Sequence, residues 1–342
     1  MNLNKKDIFK NILKDKNFFV KDNSCVCFAP INIALIKYWG KSNEDINLAM
    51  TPSISVSSNY LGTNTQIFSS QNDEFILNGN SIHDDVFNRT FEFINFFRNT
   101  LNLNTNNIKK LRIVTNNNVP TSSGLATSAS GFAALTLALN DYFSLKLCEK
   151  ELSTLARLGS GSACRSVITN QRFVVWNGDY AQPFVFSKET NKIANNMKIL
   201  IFILNDKKKE KSSREAMMLT KKAWIENSNN FYGKWLSQTK HDFLSIQQAS
   251  NWQDFGNIIE NNSLAMHRAI NEVGIDFFNT NTKKVLNFIS NCRKKKLFIY
   301  STIDAGANIA VIYRQSDAFK AKQAISQIKN ELDIKILDFD KQ

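Results

Sequence analysis

Apolar residues in the first half of the chain fall into short runs of strand length and one longer helical pattern. Residues 111–115 (LRIVT) predict a strand. Residues 128–145 carry small and apolar residues at helical spacing, which predicts a buried helix, and residues 151–158 predict a short second helix. This half is therefore expected to combine strands with one dominant helix.

After Trp176 the pattern changes to amphipathic helices between apolar strands. Residues 197–204 (MKILIFIL) form an apolar run of strand length. The helical periodicity then predicts four helices, over residues 213–228, 231–249, 252–272 and 281–295. Two strand-like runs that flank a tight glycine turn, a last helix and a final strand follow, over residues 297–302, 308–314, 316–330 and 332–338.

Strands interspersed with helices predict an α+β protein of two layered domains. A length of 342 residues is compatible with two domains. The change of pattern places a boundary near residues 180–196, so the predicted domains are residues 1–190 and 191–342.

Composition excludes several classes of protein. Because 43% of the residues are hydrophobic and no apolar run is long enough for a bilayer, we expect a folded core and no membrane span. The five cysteines lack a repeated C-x-x-C spacing and the three histidines lie far apart, which argues against disulfides and a zinc site. The charged N-terminal segment has no apolar core of a secretion signal, so we expect a cytoplasmic protein.

The net charge of +13 suggests a nucleic-acid partner at first sight. The basic residues are spread, however, and neither of the two short basic runs, at 207–211 and 293–296, is interleaved with aromatic residues. We expect these runs to be solvated faces or helix C-termini, and we expect no nucleic-acid partner. A weaker interpretation is that the excess charge attracts a polyanionic small substrate.

Residues 119–131 (VPTSSGLATSASG) have the features of a phosphate-binding loop. They lead into the predicted buried helix, whose N-terminus presents unpaired N–H groups and partial positive charge. Gly124 would let the backbone approach a ligand closely. Hydroxyl groups that suit phosphate or Mg²⁺ are present at Ser122, Ser123, Thr127 and Ser128. No Gly-Lys-Ser/Thr follows, so this is not a Walker loop, and an ordinary serine-rich helix cap is an equal alternative.

Two further segments carry candidate anion-binding groups. Residues 159–166 (GSGSACRS) place Arg165 after two glycines, and a guanidinium can bind a carboxylate or phosphate in bidentate fashion. Residues 29–41 form an apolar, strand-like run that carries Asn32 and ends in KYWGK, whose two lysines could contact a polyphosphate. A loop with a surface arginine and a hydrophobic strand with an aromatic turn are the structural alternatives.

The last two segments contain a candidate cation and a candidate carboxylate. In residues 212–217 (SSREAM) a helix capped by Ser213 would direct Arg214 towards an anion, although a plain N-cap fits this segment equally well. Asp304 lies between two predicted strands and close to a glycine. An aspartate in a tight turn commonly forms an Asx turn, and a catalytic carboxylate is the more specific interpretation.

Together these segments resemble the diphosphomevalonate decarboxylases of the GHMP kinase superfamily, in order over about residues 25–315. The shared motifs are KYWGK at 37–41, PSISV at 52–56, VPTSSGLATSASGFAAL at 119–135, GSGSACRS at 159–166, SSRxxM at 212–217 and DAGxN at 304–308. The SSR form and FYxxW at 231–235 look like the bacterial members. The resemblance implies a GHMP kinase fold of two α/β domains with the active site in the cleft between them, and it suggests a homodimer.

The activity implied by the resemblance is an ATP- and Mg²⁺-dependent decarboxylation of mevalonate 5-diphosphate to isopentenyl diphosphate through phosphorylation of its 3-hydroxyl. By match to the family, Asp304 would orient and help deprotonate this hydroxyl, and Arg165 would hold the substrate carboxylate and keep Asp304 ionised. Asn32 would support Arg165, and Lys41 completes the expected catalytic set.

The resemblance also implies two binding sets. The substrate would contact Tyr38, Trp39, Gly40, Lys41, Arg89, Ser160, Gly161, Ser162, Ala163, Cys164, Arg165, Ser213 and Arg214. The ATP phosphates would lie on Pro120, Ser122, Ser123, Gly124, Leu125, Ala126, Thr127 and Ser128.

Four places depart from the family pattern: residues 167–172 form a longer segment, Ala307 replaces a proline, Thr127 replaces a serine, and Thr51-Pro52 replaces Asn-Ser. None removes a charged group expected to be catalytic. Substrate choice is the expectation that they weaken most, so a mevalonate 3-kinase or a phosphomevalonate decarboxylase of the same fold is the alternative.

Overall fold

The computed structural model describes residues 4–102, 110–120, 127–205 and 210–340. Within these ranges the chain forms eleven α-helices and thirteen β-strands. The helices are α1 (Lys5–Leu13), α2 (Asp85–Thr100), α3 (Thr127–Tyr142), α4 (Glu149–Gly159), α5 (Ala163–Ser166), α6 (Lys188–Asn195), α7 (Ser213–Glu226), α8 (Phe231–Ser245), α9 (Trp252–Glu272), α10 (Thr280–Lys294) and α11 (Ala318–Leu332). The strands are β1 (Cys27–Ile36), β2 (Lys41–Asn43), β3 (Leu48–Ala49), β4 (Ser53–Ser70), β5 (Glu74–Leu77), β6 (Asn80–Ser81), β7 (Lys110–Asn117), β8 (Phe173–Trp176), β9 (Ala181–Pro183), β10 (Met197–Ile203), β11 (Tyr300–Thr302), β12 (Ile309–Arg314) and β13 (Lys335–Asp338).

The larger sheet has seven strands in the order β6-β5-β7-β4-β8-β9, with β1 paired to β4. The 18-residue β4 organises this sheet, because its first residues pair with β8, its later residues pair with β7, and β1 lies antiparallel to both stretches. Helix α3 packs on β1 and β4. It presents the small residues Ala133, Ala134 and Ala138 to the core, which lets the helix lie close to the sheet.

The smaller sheet has four antiparallel strands in the order β11-β12-β10-β13. One face packs against α10 and α11. The opposite face shares a core with the larger sheet, in which Ile33 and Ile54 pack with Ile199, Ile201 and Phe255. Since β1 also contacts β11, the end of β1 lies next to the turn that follows β11.

The α+β class and the predicted elements are confirmed, with differences at several ends. Residues 297–299 are not strand, because the backbone N–H of Leu297 bonds to the carbonyl of Cys292 at 3.0 Å and closes α10. The helix predicted over 128–145 ends at Tyr142, since the N–H of Leu145 turns back to the carbonyl of Asn140 at 3.0 Å. The C-terminal helix runs on to Leu332, after which Asp333 adopts φ +48°.

The elements that were not predicted from the sequence include α1, α2, α6 and the long strand β4. Among the described residues, none of the helices is both long and apolar enough to cross a membrane.

Candidate active site

A cavity of about 500 Å³ lies where the end of β1, the starts of α3 and α7, and the turn after β11 meet. Its size is that of a small-molecule site. Among the described residues that line it are five cationic side chains and one carboxylate, namely Lys37, Lys41, Arg89, Arg165, Arg214 and Asp304. Such an excess of positive charge in a cleft favours an anionic ligand.

The deepest part of the cavity contains an ion pair that joins the two sheets. Lys37 directly follows the last residue of β1, and Asp304 lies in the turn after β11. Nζ of Lys37 lies 2.5 Å from Oδ1 of Asp304. The Lys37 side chain is 2% exposed and that of Asp304 is 29% exposed, so the carboxylate is open to the cavity while the amine is enclosed. Burial lowers the pKa of Lys37, and the charge of Asp304 opposes this shift.

Arg165 lies beside this pair on the four-residue α5 and is almost completely buried. Its Nη1 donates to the hydroxyl of Ser53 at 2.8 Å, whereas its Nε has no hydrogen-bond partner. Burial lowers the pKa of this guanidinium. Lys37, Arg165 and Asp304 are called the inner cluster below. The ion pair of Asp304 is with Lys37, and the charges of Arg165 and Asp304 also interact, so the expected influence of Arg165 on Asp304 stays a prediction.

The sequence interpretation named Lys37 only as a possible polyphosphate contact and did not include it in the expected catalytic set. This lysine closes an apolar run, and its partner is 267 positions away along the chain, so only the pairing of the sheets shows its role. The one available signal was its spacing of four residues from Lys41 in KYWGK.

Asn32 supports Arg165 indirectly. Its Nδ2 donates to the hydroxyl of Ser166 at 2.6 Å, which holds the residue after Arg165, and its Oδ1 is buried without a partner. Asn32 is not among the residues that line the cavity.

Three cations, Lys41, Arg89 and Arg214, form a second group that is called the outer cluster below. Burial lowers the pKa of Lys41 and of Arg89, and the charge of Arg214 acts in the same direction on both. Lys41 pairs with Glu44 at 3.2 Å, whereas Arg89 and Arg214 make no ion pair with any described carboxylate. Because Arg214 lies within electrostatic reach of both other cations, its charge repels theirs, and an anion bound between them would relieve this repulsion.

The start of α7 directs Arg214 to this place. The cap of the helix is Ser212 and not the predicted Ser213, because the hydroxyl of Ser212 accepts the N–H of Glu215 at 3.1 Å. Both serines and Arg214 line the cavity.

Hydroxyl groups line the remaining polar wall. Thr127 and Ser128 are the first residues of α3, and the hydroxyl of Ser128 lies 3.4 Å from that of Ser160, which ends α4. Ser162 also lines the cavity. The proposed ATP residues Ser122, Ser123, Gly124, Leu125 and Ala126 lie outside the described residues, and Pro120 is not among those that line the cavity.

Several residues of the predicted substrate set have packing roles. Gly40 has φ +91°, and a Cβ there would lie 1.7 Å from the hydroxyl oxygen of Tyr232, so only glycine fits. A Cβ on Gly161 would lie 2.6 Å from the hydroxyl oxygen of Tyr38, which is buried without a partner. Trp39 lines the cavity, but its Nε1 donates to Thr220 at 3.0 Å.

Ala163 and Cys164 are completely buried in the core of the larger sheet and do not line the cavity. Burial raises the pKa of the Cys164 thiol to about 12, so the thiol stays protonated and unreactive.

The departures in residues 167–172 and at Ala307 also lie outside the cavity lining. In the longer segment, Arg172 pairs with Asp340 at 2.6 Å and donates to the carbonyl of Met197 at 2.9 Å, so it ties the two sheets together on another side.

Two family models match the chain. Residues 29–184 match the diphosphomevalonate decarboxylase-like N-terminal domain, and residues 199–336 match the mevalonate 5-diphosphate decarboxylase C-terminal domain. The chain belongs to the diphosphomevalonate decarboxylase family.

Similarity to individual family members extends over most of their length. The diphosphomevalonate decarboxylase of Debaryomyces hansenii is 31% identical over 343 residues, which cover 91% of this chain and 86% of the relative. The solved mevalonate diphosphate decarboxylase from Enterococcus faecalis is 31% identical with a TM-score of 0.79, covering 92% of this chain and 95% of its own. A structure described as MDDEF in complex with MVAPP, AMPPCP and magnesium is 31% identical with a TM-score of 0.80. The match covers 93% of this chain and 99% of the chain in that complex.

These likenesses confirm the family and the GHMP kinase fold that were expected from the motifs. The fungal and the bacterial relative are equally identical to this chain, so the bacterial type stays a prediction.

Proposed function

We propose that this protein catalyses the ATP-dependent decarboxylation of mevalonate 5-diphosphate to isopentenyl diphosphate, with release of ADP, phosphate and CO₂. The observation that carries the proposal is the inner cluster: a carboxylate open to the cavity, paired with a buried lysine and flanked by a buried arginine. The names of the family's members and a relative's complex with MVAPP and an ATP analogue support the same activity.

Asp304 orients the 3-hydroxyl of the substrate towards the γ-phosphoryl group of ATP and accepts its proton during transfer. Lys37 occupies Oδ1 of the carboxylate at 2.5 Å, which leaves Oδ2 for the hydroxyl. The main contribution of this carboxylate to the rate is that it holds the hydroxyl in line with the γ-phosphoryl group.

Arg165 binds the carboxylate of the substrate and fixes the direction in which CO₂ leaves. Once the 3-phosphate has formed, its C3–O bond breaks, and the electron pair of the C1–C2 bond forms the new C2=C3 double bond as CO₂ departs. Positive charge develops at C3 while the phosphate leaves, and the departing phosphate is the enclosed anion that stabilises that charge.

The outer cluster binds the 5-diphosphate. Lys41, Arg89 and Arg214 supply cations whose mutual repulsion the diphosphate relieves. The set is completed by residues with hydroxyl groups that line the same cavity, namely Tyr38, Ser160, Ser162 and Ser213.

ATP binds with its phosphates at the N-terminus of α3, where Thr127 and Ser128 line the cavity. The hydroxyls of Thr127 and Ser128 are oxygen ligands of the kind that Mg²⁺ accepts, so they would help to hold a Mg²⁺ ion that would neutralise part of the phosphate charge. The resemblance to the family implies that Pro120 and residues 122–126 also belong to this site.

We further propose domains of residues 1–190 and 191–342, a homodimer and a cytoplasmic location. The matched models, which end at residue 184 and begin again at residue 199, support the division. Light scattering coupled to size exclusion measures the oligomeric state, and a mass of twice 38.9 kDa is expected.

A substrate panel tests the proposed activity. The purified protein is given ATP and Mg²⁺ with mevalonate, its 5-phosphate or its 5-diphosphate, each labelled at the carboxyl carbon. The proposal requires one CO₂ per ADP from the 5-diphosphate, at a kcat/KM that exceeds those of the other two compounds. ADP without CO₂ from mevalonate would identify a 3-kinase, and CO₂ chiefly from the 5-phosphate would identify a phosphomevalonate decarboxylase.

A further inference from the structure

Helix α9 runs behind the inner cluster and carries two buried polar neighbours, Asn262 and Ser263. We propose that these are positioning residues that set the geometry of the Lys37–Asp304 pair, Asn262 through the backbone of Lys37 and Ser263 through the backbone before Asp304. The proposal rests on the proposed function, in which that pair orients the reacting hydroxyl. Neither residue lines the cavity, so both act through other groups.

Asn262 holds the Lys37 side of the pair. Lys37 is the first residue after β1, so its backbone N–H no longer has a partner on β4 and instead donates to Oδ1 of Asn262 at 2.8 Å. Nδ2 of Asn262 donates to the hydroxyl of Thr239 and to Oδ2 of Asp242, both at 2.9 Å. The two acceptors on α8 fix the orientation of the amide, so its oxygen faces Lys37.

Ser263 holds the Asp304 side of the pair. Its hydroxyl accepts the backbone N–H of Ile303 at 2.8 Å and donates to the carbonyl of the same residue at 3.0 Å. Both backbone groups of the residue before Asp304 are therefore bound by one side chain that is 1% exposed. This arrangement fixes the direction in which the chain enters the turn that presents the carboxylate.

Two consecutive residues of one helix thus hold two chain segments that come from different sheets. The segments are also joined directly, because the hydroxyl of Thr302 donates to the carbonyl of Ala34 at 2.8 Å. A rigid helix that fixes both backbones determines where the ion pair lies relative to the cavity, and not only whether it forms. Displacement of the reacting groups by about 1 Å can cost about 100-fold in rate.

The test compares Ser263→Ala and Asn262→Ala with the control Thr190→Val. The hydroxyl of Thr190 is equally buried and bonds to the carbonyls of Gln247 and Ala249 at 3.1 and 2.9 Å, so the control also loses two backbone hydrogen bonds, but far from the cavity. For each protein the urea midpoint of unfolding, kcat, and KM for both substrates are measured.

We expect all three variants to unfold at lower urea than the wild type. Only Ser263→Ala and Asn262→Ala should lose kcat, by about 10- to 100-fold, with each KM within about threefold. Ser263→Thr keeps the hydroxyl and should retain kcat within about threefold. Equal kcat losses in Ser263→Ala and Thr190→Val, or a wild-type kcat in Ser263→Ala, would overturn the proposal.

Two further outcomes are decisive. If Ser263→Ala does not fold, Ser263→Cys keeps the volume with only weak hydrogen bonding and carries the same prediction of a lower kcat at unchanged KM. If the wild type turns over another compound of the substrate panel, the proposed function fails, and the same variants assayed with that compound still decide the role of α9.

Discussion

The inner and outer clusters use positive charge in opposite ways. In the inner cluster Lys37 is already paired with Asp304, and Arg165 and Lys37 donate buried hydrogen bonds to Ser53 and to Asn262 of α9. In the outer cluster Arg214 approaches two other cations and has no described ion-pair partner. The inner cluster is therefore arranged before the substrate arrives, as catalysis by positioning requires, whereas the outer cluster is completed by an anionic ligand.

The largest expected effect comes from Asp304→Asn, which removes the open carboxylate and keeps its shape. We expect kcat to fall about 1000-fold or more, because both proton acceptance and orientation of the hydroxyl are lost. KM for mevalonate 5-diphosphate should stay within about threefold, since the outer cluster is unchanged. Steady-state ADP release measures both constants, and a variant with more than a tenth of the wild-type kcat would remove Asp304 from its proposed role.

The next effect concerns the buried layer behind the inner cluster, where His267 is 2% exposed. Burial, reinforced by the charge of Lys37, lowers the pKa of His267 to about 4 from 6.5. The unfolded chain then takes up a proton below pH 6.5 that the folded protein does not accept until about pH 4. The free energy of unfolding should therefore fall by roughly 3 kcal/mol between these pH values, with no contribution above pH 6.5.

Urea unfolding of the wild type and of His267→Gln between pH 4 and 7.5 measures this difference. Between pH 6.5 and 4 the free energy of unfolding of the variant should fall by roughly 3 kcal/mol less than that of the wild type. The matched control is His241→Gln, which changes an exposed histidine on α8 and should reproduce the wild-type slope. Parallel curves for the wild type and His267→Gln would mean that the histidine is hydrated in the folded protein.

The smallest of the three effects is expected in the outer cluster. Arg214→Gln should raise KM for the diphosphate substrate about tenfold and leave kcat within about threefold, because one charged hydrogen bond to the ligand is lost. Lys211→Gln is the control: it removes the same charge just before the same helix, but Lys211 pairs with Glu215 at 2.6 Å and does not line the cavity. An equal rise of KM in both variants would indicate long-range attraction only.

The sequence was sufficient to select Arg165, Asp304 and Arg214 as candidates, because each lies in a motif whose residue types suggest anion chemistry, and all three line the cavity. It was insufficient for the pairing of Lys37 with Asp304, since an ion pair across 267 positions depends on how β1 and β11 meet. Asn262 and Ser263 were equally hidden, as polar residues inside an ordinary amphipathic helix.

The same limit explains the missed strand β4. Serine, threonine and asparagine recur along it, so its sequence does not alternate cleanly between apolar and polar residues. Ser53 and Ser55 are nevertheless completely buried, and Ser53 bonds to Arg165. Polar residues in that strand support the site, and local hydrophobicity therefore fails to predict it.

The most direct test of the division between the two clusters is the rate constant of ADP formation in a single turnover, measured at saturating mevalonate 5-diphosphate. Under this condition we expect the rate constant of Arg214→Gln to lie within about threefold of that of the wild type, whereas the rate constant of Asp304→Asn remains about 1000-fold lower or more. An Arg214→Gln protein that stays slow at saturation, or an Asp304→Asn protein that recovers, would contradict it.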